Sequence, residues 1–237
     1  MRLRLVPGLL ALALAAPCIP AAGLAQTTST AALAQNAQQA LQAGQYDTAA
    51  SLYRQLVQID PKQWRFQRGL GDALLRLGQY DAALAADEAA LALLQGAPSS
   101  ALEPRQRDLE MAAVYRSELA LYFKLKRPVD AKAAGERWAA LSQSADAYLT
   151  MCIVYYNNGE MEPSLRACDR EIALDPTRPD AYFIKGSVLV ASAAVGADGK
   201  LHAPAGAVES LRKYLELAPN GAHRADVQQM LDYLGSH

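Results

Sequence analysis

Arg65, Arg68, Asp72 and Arg76 stand at spacings of i, i+3, i+7 and i+11. On a helix of 3.6 residues per turn, these four share one face. The chemistry they offer is recognition rather than turnover. Guanidinium groups hold carboxylates through paired hydrogen bonds, and a single aspartate offsets only part of three positive charges. A solvated charged stripe is the other reading of the same pattern.

The other reactive residues assemble into nothing catalytic. His202, His223 and His237 lie outside any H-E-x-x-H pattern. Asp198-Gly199 lacks the further acidic ligands of a calcium loop. No G-x-S-x-G elbow or phosphate-cradling glycine loop is present. Asp87-Glu88 is read as a solvated pair on a helix face. Cys152 and Cys168 are too isolated for a zinc site, which takes four ligands. As residues alone, they are either two small buried hydrophobes or a bonded pair. No metal or cofactor is expected, and the chain is expected not to be an enzyme.

Composition narrows the classes further. A formal net charge of −1 gives no electrostatic footprint for nucleic acid. Apolar residues at 51% suffice for a core, and abundant alanine favours helices. Arg2 and Arg4 precede an apolar run, Leu5 to Ala16, that is short for a bilayer span of about 20 residues. Small residues then lead to Gly23-Leu24-Ala25, the layout of a secretory signal peptide. The expected division is residues 1–25 as signal and 26–237 as the mature domain. A retained membrane anchor is the alternative. Pro17 before Cys18 fits a lipid-anchoring signal poorly. No second long apolar run follows, so no membrane insertion of the mature chain is expected.

The elements that position these residues repeat. Gly44-Gln45-Tyr46-Asp47 returns 34 residues later as Gly78-Gln79-Tyr80-Asp81, and Ala49 returns as Ala83. The first unit adds Tyr53 and Pro61, and the second adds Leu70-Gly71. A fourth unit shows Tyr148, Met151-Cys152, Tyr155 and Asp175-Pro176. A fifth shows Tyr182, Lys185-Gly186, Ala207, Leu211, Tyr214 and Pro219. The third is degenerate, with Leu119-Ala120 and Phe123 on its first helix and Ala131 on its second. Together they resemble the tetratricopeptide repeat, W-x2-L-G-x2-Y, then A-x3-F, then P, over about residues 30 to 219.

That resemblance implies an all-α, right-handed solenoid of about five helical hairpins. Val227, Met230, Leu231 and Leu234 read as a C-terminal capping helix. Insertions are expected near 95–108 and 193–206, with Ser100 and Glu103 capping the helix after the first. The resemblance also implies an inner groove, lined by first helices, that binds peptides. It places Lys124, Tyr156, Asn157 and Phe183 on the same surface as Arg65, Arg68, Asp72 and Arg76. One half is then basic and the other more aromatic. The Lys/Asn carboxylate clamp of some such domains is absent, because Ala34 and Gln38 take its slots. The slots of Cys152 and Cys168 face each other in this repeat. With an even mature count and an export signal, they point to a disulfide. The expected function is a non-catalytic protein–protein scaffold, periplasmic or secreted, with a protein or peptide partner. The alternative is a structural subunit of a cell-envelope assembly.

Overall fold

A computed structural model describes residues 21–98, 102–197 and 201–235, with backbone alone for 21–28. Cys18, Ser100, Asp198-Gly199, His237 and residues 1–20 of the expected signal lie outside the described residues. Eleven helices run through them: α1 (Ala21–Gln42), α2 (Tyr46–Ile59), α3 (Trp64–Arg76), α4 (Tyr80–Gly96), α5 (Pro104–Lys124), α6 (Pro128–Ser142), α7 (Ala145–Asn157), α8 (Met161–Leu174), α9 (Pro179–Ala191), α10 (Ala207–Leu217) and α11 (Arg224–Tyr233). The cut expected near Ala25 falls in the first turns of α1.

Local chemistry sets the helix ends. Acidic residues such as Asp47, Asp81, Asp146 and Asp180 occupy first turns, where they meet the positive end of the helix dipole. Pro104, Pro128 and Pro179 open helices where no N–H is needed. The tight turns at Gly44 and Gly78 both hold φ of +74°, a left-handed conformation that suits glycine. Glu103 precedes α5 without a side-chain cap bond, contrary to the capping expected of it. The first insertion is also shorter than expected, because α4 extends to Gly96 and α5 starts at Pro104. The second insertion holds a small antiparallel ribbon, β1 (Ala194–Val195) with β2 (Leu201–His202).

The helices pack as five successive hairpins, α1–α2 through α9–α10, with α11 against α9 and α10. Within each hairpin one pair of facing slots is filled in a complementary way. In the first hairpin Ala37 and Tyr53 are both buried. Gly71 lies against Asp87, and Gly186 against Leu211, so close that a methyl group at either glycine meets the opposing side chain. In the third hairpin the sizes are exchanged, with Leu119 filling the slot and Gly135 making room for it and for Met151. Leu119 is therefore the residue that faces α6, one position earlier than the Leu119-Ala120 alignment expected. Ala120 and Phe123 accordingly turn outward, and Phe123 is 49% exposed.

In the fourth hairpin the same slots hold Cys152 and Cys168, joined as a disulfide with Cα atoms 5.1 Å apart and a sequence separation of 16. Both are fully buried. Replacing both with alanine is expected to lower stability by about 3 kcal/mol, the chain-entropy contribution for a loop of this size. Urea unfolding of the oxidised protein and of the double variant measures it. Equal midpoints would show that the link constrains little.

Candidate binding groove

Helix α3 turns Arg68, Asp72 and Arg76 into a cleft of about 580 Å³. The opposite wall is α5, through Ala113, Arg116, Ser117 and Ala120, and α1 closes one edge with Leu41 and Gln42. A hollow of about 150 Å³, lined by Arg65, Arg68, Asp72 and Glu110, continues it. The four residues grouped by helical spacing thus meet one continuous depression. Arg116 joins them and was not expected. It holds the place of Arg68 one repeat on, but the insertion after α4 stretches that interval to 48 residues and hides the match.

The cations of the cleft are not equivalent. Arg68 Nη1 donates to Glu110 Oε2 at 2.6 Å. The Arg65 guanidinium lies 4.4 Å above the Trp64 ring. Among the described residues, Arg76 and Arg116 form no ion pair and both are exposed, with the Arg116 guanidinium 6.0 Å from the Trp138 ring. Asp72 stands between them. Partial burial raises its carboxyl above the usual range, while Arg68, Arg76 and Arg116 pull it down. Three guanidinium groups against Asp72 leave the depression positive, with two cations ready for an incoming carboxylate.

The floor behind Gly71 differs from expectation. Asp87 is fully buried rather than solvated, while Glu88 is exposed. Asp87 occupies the slot that Tyr53 fills in the first unit, which points inward whatever residue stands there. Among the described residues, neither carboxyl oxygen has a hydrogen-bond partner within reach, and Ser117 Oγ has none either. Burial pushes the carboxyl up to about 7, partly opposed by the nearby Ser117 hydroxyl and raised further by Asp72.

Farther along, the inner face becomes apolar. Arg116, Ala120 and Phe123 on α5 correspond, 33 residues on, to Leu149, Ile153 and Tyr156 on α7. Ile153 is an exposed large hydrophobe, as is Phe123, and Tyr156 is half-buried against the central core. Lys124 and Asn157 end their helices in the exposed places equivalent to Arg76. Phe183 does not serve as open groove wall. His223 stacks on its ring at 3.9 Å, with only 5° between the planes. The Tyr214 hydroxyl accepts the His223 backbone N–H at 2.9 Å and fixes that cover in place.

Residues 35–101 match the family described as tetratricopeptide repeat. Among solved structures, one similar chain is YrrB, described as a TPR protein with an unusual peptide-binding site. It is 16% identical, with TM-score 0.62, over 81% of this chain and 88% of that one. Another is MamA from Desulfovibrio magneticus RS-1, 19% identical, with TM-score 0.58, over 81% of this chain and 97% of that one. A third is PilW, described as a type IV pilus biogenesis factor, 18% identical, with TM-score 0.55, over 88% of this chain and 87% of that one. These likenesses establish the all-α helical-hairpin repeat fold. No curated protein sequence matches the chain.

Proposed function

We propose that the chain is an exported, non-catalytic scaffold that holds a partner segment along the inner face from α3 to α7. The segment is acidic where it meets α3 and α5 and apolar where it meets α7. The observation that carries this reading is the pair Arg76 and Arg116, neither in an ion pair, sharing one cleft and continued by Phe123 and Ile153. The peptide-binding site named for YrrB, a chain of the same fold, supports a peptide ligand.

A panel of labelled peptides tests it by fluorescence anisotropy. An acidic block followed by an apolar block is expected to bind saturably, and more weakly as salt rises. Arg76→Glu with Arg116→Glu is expected to abolish that binding and to move stability by no more than about 0.5 kcal/mol, as for exposed sites generally. Unchanged binding by the double variant would remove the groove from the account. It would then favour the structural-subunit reading.

Export is the other half of the proposal. The apolar segment after Arg2 and Arg4 supports it, and so does a buried cysteine pair of the kind that persists in oxidising compartments. Sequencing the amino terminus of the protein from its native source is expected to give a start near Gln26. Recovery of intact Met1 from a cytosolic fraction would overturn it.

A further inference from the structure

Helix α5 has a second face. Tyr115, Glu118 and Tyr122 lie roughly opposite Ala113, Arg116 and Ala120, given 100° per residue. They form the floor of a separate cleft of about 360 Å³ between α4 and α6. Glu88 stands on its α4 wall, and Asp130 and Arg137 on its α6 wall. The corresponding floor position is Leu70 and Met151 in two other units and Lys185 in the fifth. Here it is a glutamate, only 5% exposed.

The neighbouring cations form their direct contacts with other groups. Arg137 Nη1 donates to the Tyr115 hydroxyl at 3.2 Å, with its guanidinium 5.5 Å from that ring. Arg127 pairs with Asp130 at 2.8 Å and lies over the Tyr122 ring. No hydrogen bond or ion pair reaches Glu118 among the described residues, and Glu88 is also unpaired. The Glu118 side chain is largely buried while its carboxyl opens onto the cleft without a partner, and either a proton or a cation neutralises it there.

We propose that this outer cleft is a binding site for an organic ammonium group, which seats against Glu118 with Glu88 at the rim and the two tyrosines alongside. The site is independent of the inner groove and of its ligand. Burial and the nearby Glu88 push the Glu118 carboxyl up to about 7, with Arg137 pulling the other way. Ammonium binding therefore displaces a proton near neutrality. The charged and titratable groups facing Glu118 are Glu88 and the buried Asp87 from α4, Tyr115 and Tyr122 from α5, and Asp130 and Arg137 from α6.

An ammonium of this kind belongs either to a small diamine or to a lysine side chain of a partner. Calorimetry on the full oxidised chain uses two probes, 1,4-diaminobutane and an N-acetyl Gly-Lys-Gly amide, each at pH 8 and pH 5.5. Saturable binding of either is expected at pH 8, about tenfold weaker at pH 5.5 and in Glu118→Gln. Binding of the diamine alone assigns the site to small amines. Binding of the peptide alone assigns it to a lysine side chain. The acetyl-lysine peptide is expected not to bind. A rise in the wild-type melting temperature with probe at pH 8, but not at pH 5.5, reads the same event without a variant. Absence of binding by both probes, or equal binding by Glu118→Gln, overturns the proposal.

Discussion

Raising the pH from 5 to 8 is expected to destabilise the fold by roughly 2–5 kcal/mol, at about 1.4 kcal/mol per pKa unit for each affected carboxyl. Three buried carboxyls carry the effect. Asp87, Glu118 and Glu171 are each pushed up to about 7, in every case mainly by burial. In the unfolded chain such groups release their protons near pH 4. Between pH 4 and 7 the folded state therefore holds protons that the unfolded state has lost. Stability is fully present below that window and declines as the pH rises through 7. Glu171 contributes least, because Arg178 Nε lies 3.7 Å from Oε1. Asp175 shifts downward, through hydrogen bonds from Thr177, and acts at lower pH. Thermal melts at pH 5, 6.5 and 8 measure the trend, and Asp87→Asn is expected to flatten it. A melting temperature that rises steadily over the range would contradict the burial of these groups.

Tyr214→Ala is expected to cost about 3–5 kcal/mol, as for other large aromatic cores. Tyr214 is 2% exposed and packs with Leu211, Val227 and Leu231. Its ring lies 5.7 Å from Phe183, and its hydroxyl holds the loop that brings His223 over that ring. Removing it opens a cavity and frees the cover of the last hairpin. Denaturant unfolding gives the magnitude. Hydrogen exchange is expected to show α11 losing protection first, because end units have neighbours on one side only. Tyr214→Phe keeps the volume and loses only the hydroxyl bond, at about 1 kcal/mol. A cost for Tyr214→Ala no larger than that would mean the cap is not seated on this ring.

The fold was legible because the repeat is written in positions that cannot vary freely. Gly44 and Gly78 need left-handed turns, and the Gly71 and Gly186 slots need small residues against a partner helix. Where a slot pair trades volumes, as Leu119 and Gly135 do, the pattern lost register by one residue. For Asp87 the repeat slot pointed inward and the residue type outward, and for Glu118 the lost register hid the slot. A charged residue gives no sign in sequence that its neighbours have been packed away from water. Tyr155 shows the converse. It fills an aromatic slot yet is only half-buried, with its hydroxyl donating to Glu136 at 2.8 Å.

The inner face was partly legible. Arg65, Arg68, Asp72 and Arg76 follow from the spacing of one helix. Arg116, Phe123 and Ile153 depend on how successive hairpins superpose, and the insertion after α4 obscures that. The pairing of Arg68 with Glu110 joins residues 42 apart and had no local signal.

Site-directed photo-crosslinking locates the bound peptide on the inner face. One photoreactive residue replaces Ala120, between Arg116 and Phe123 on the inner face, and another replaces Ala173, exposed on α8. Each protein is irradiated with the acidic–apolar peptide and analysed by mass spectrometry. A crosslink is expected from position 120, lost in the Arg76→Glu, Arg116→Glu background, and none from position 173. A crosslink from position 173 alone would contradict binding on the inner face and move the binding surface to the second helices.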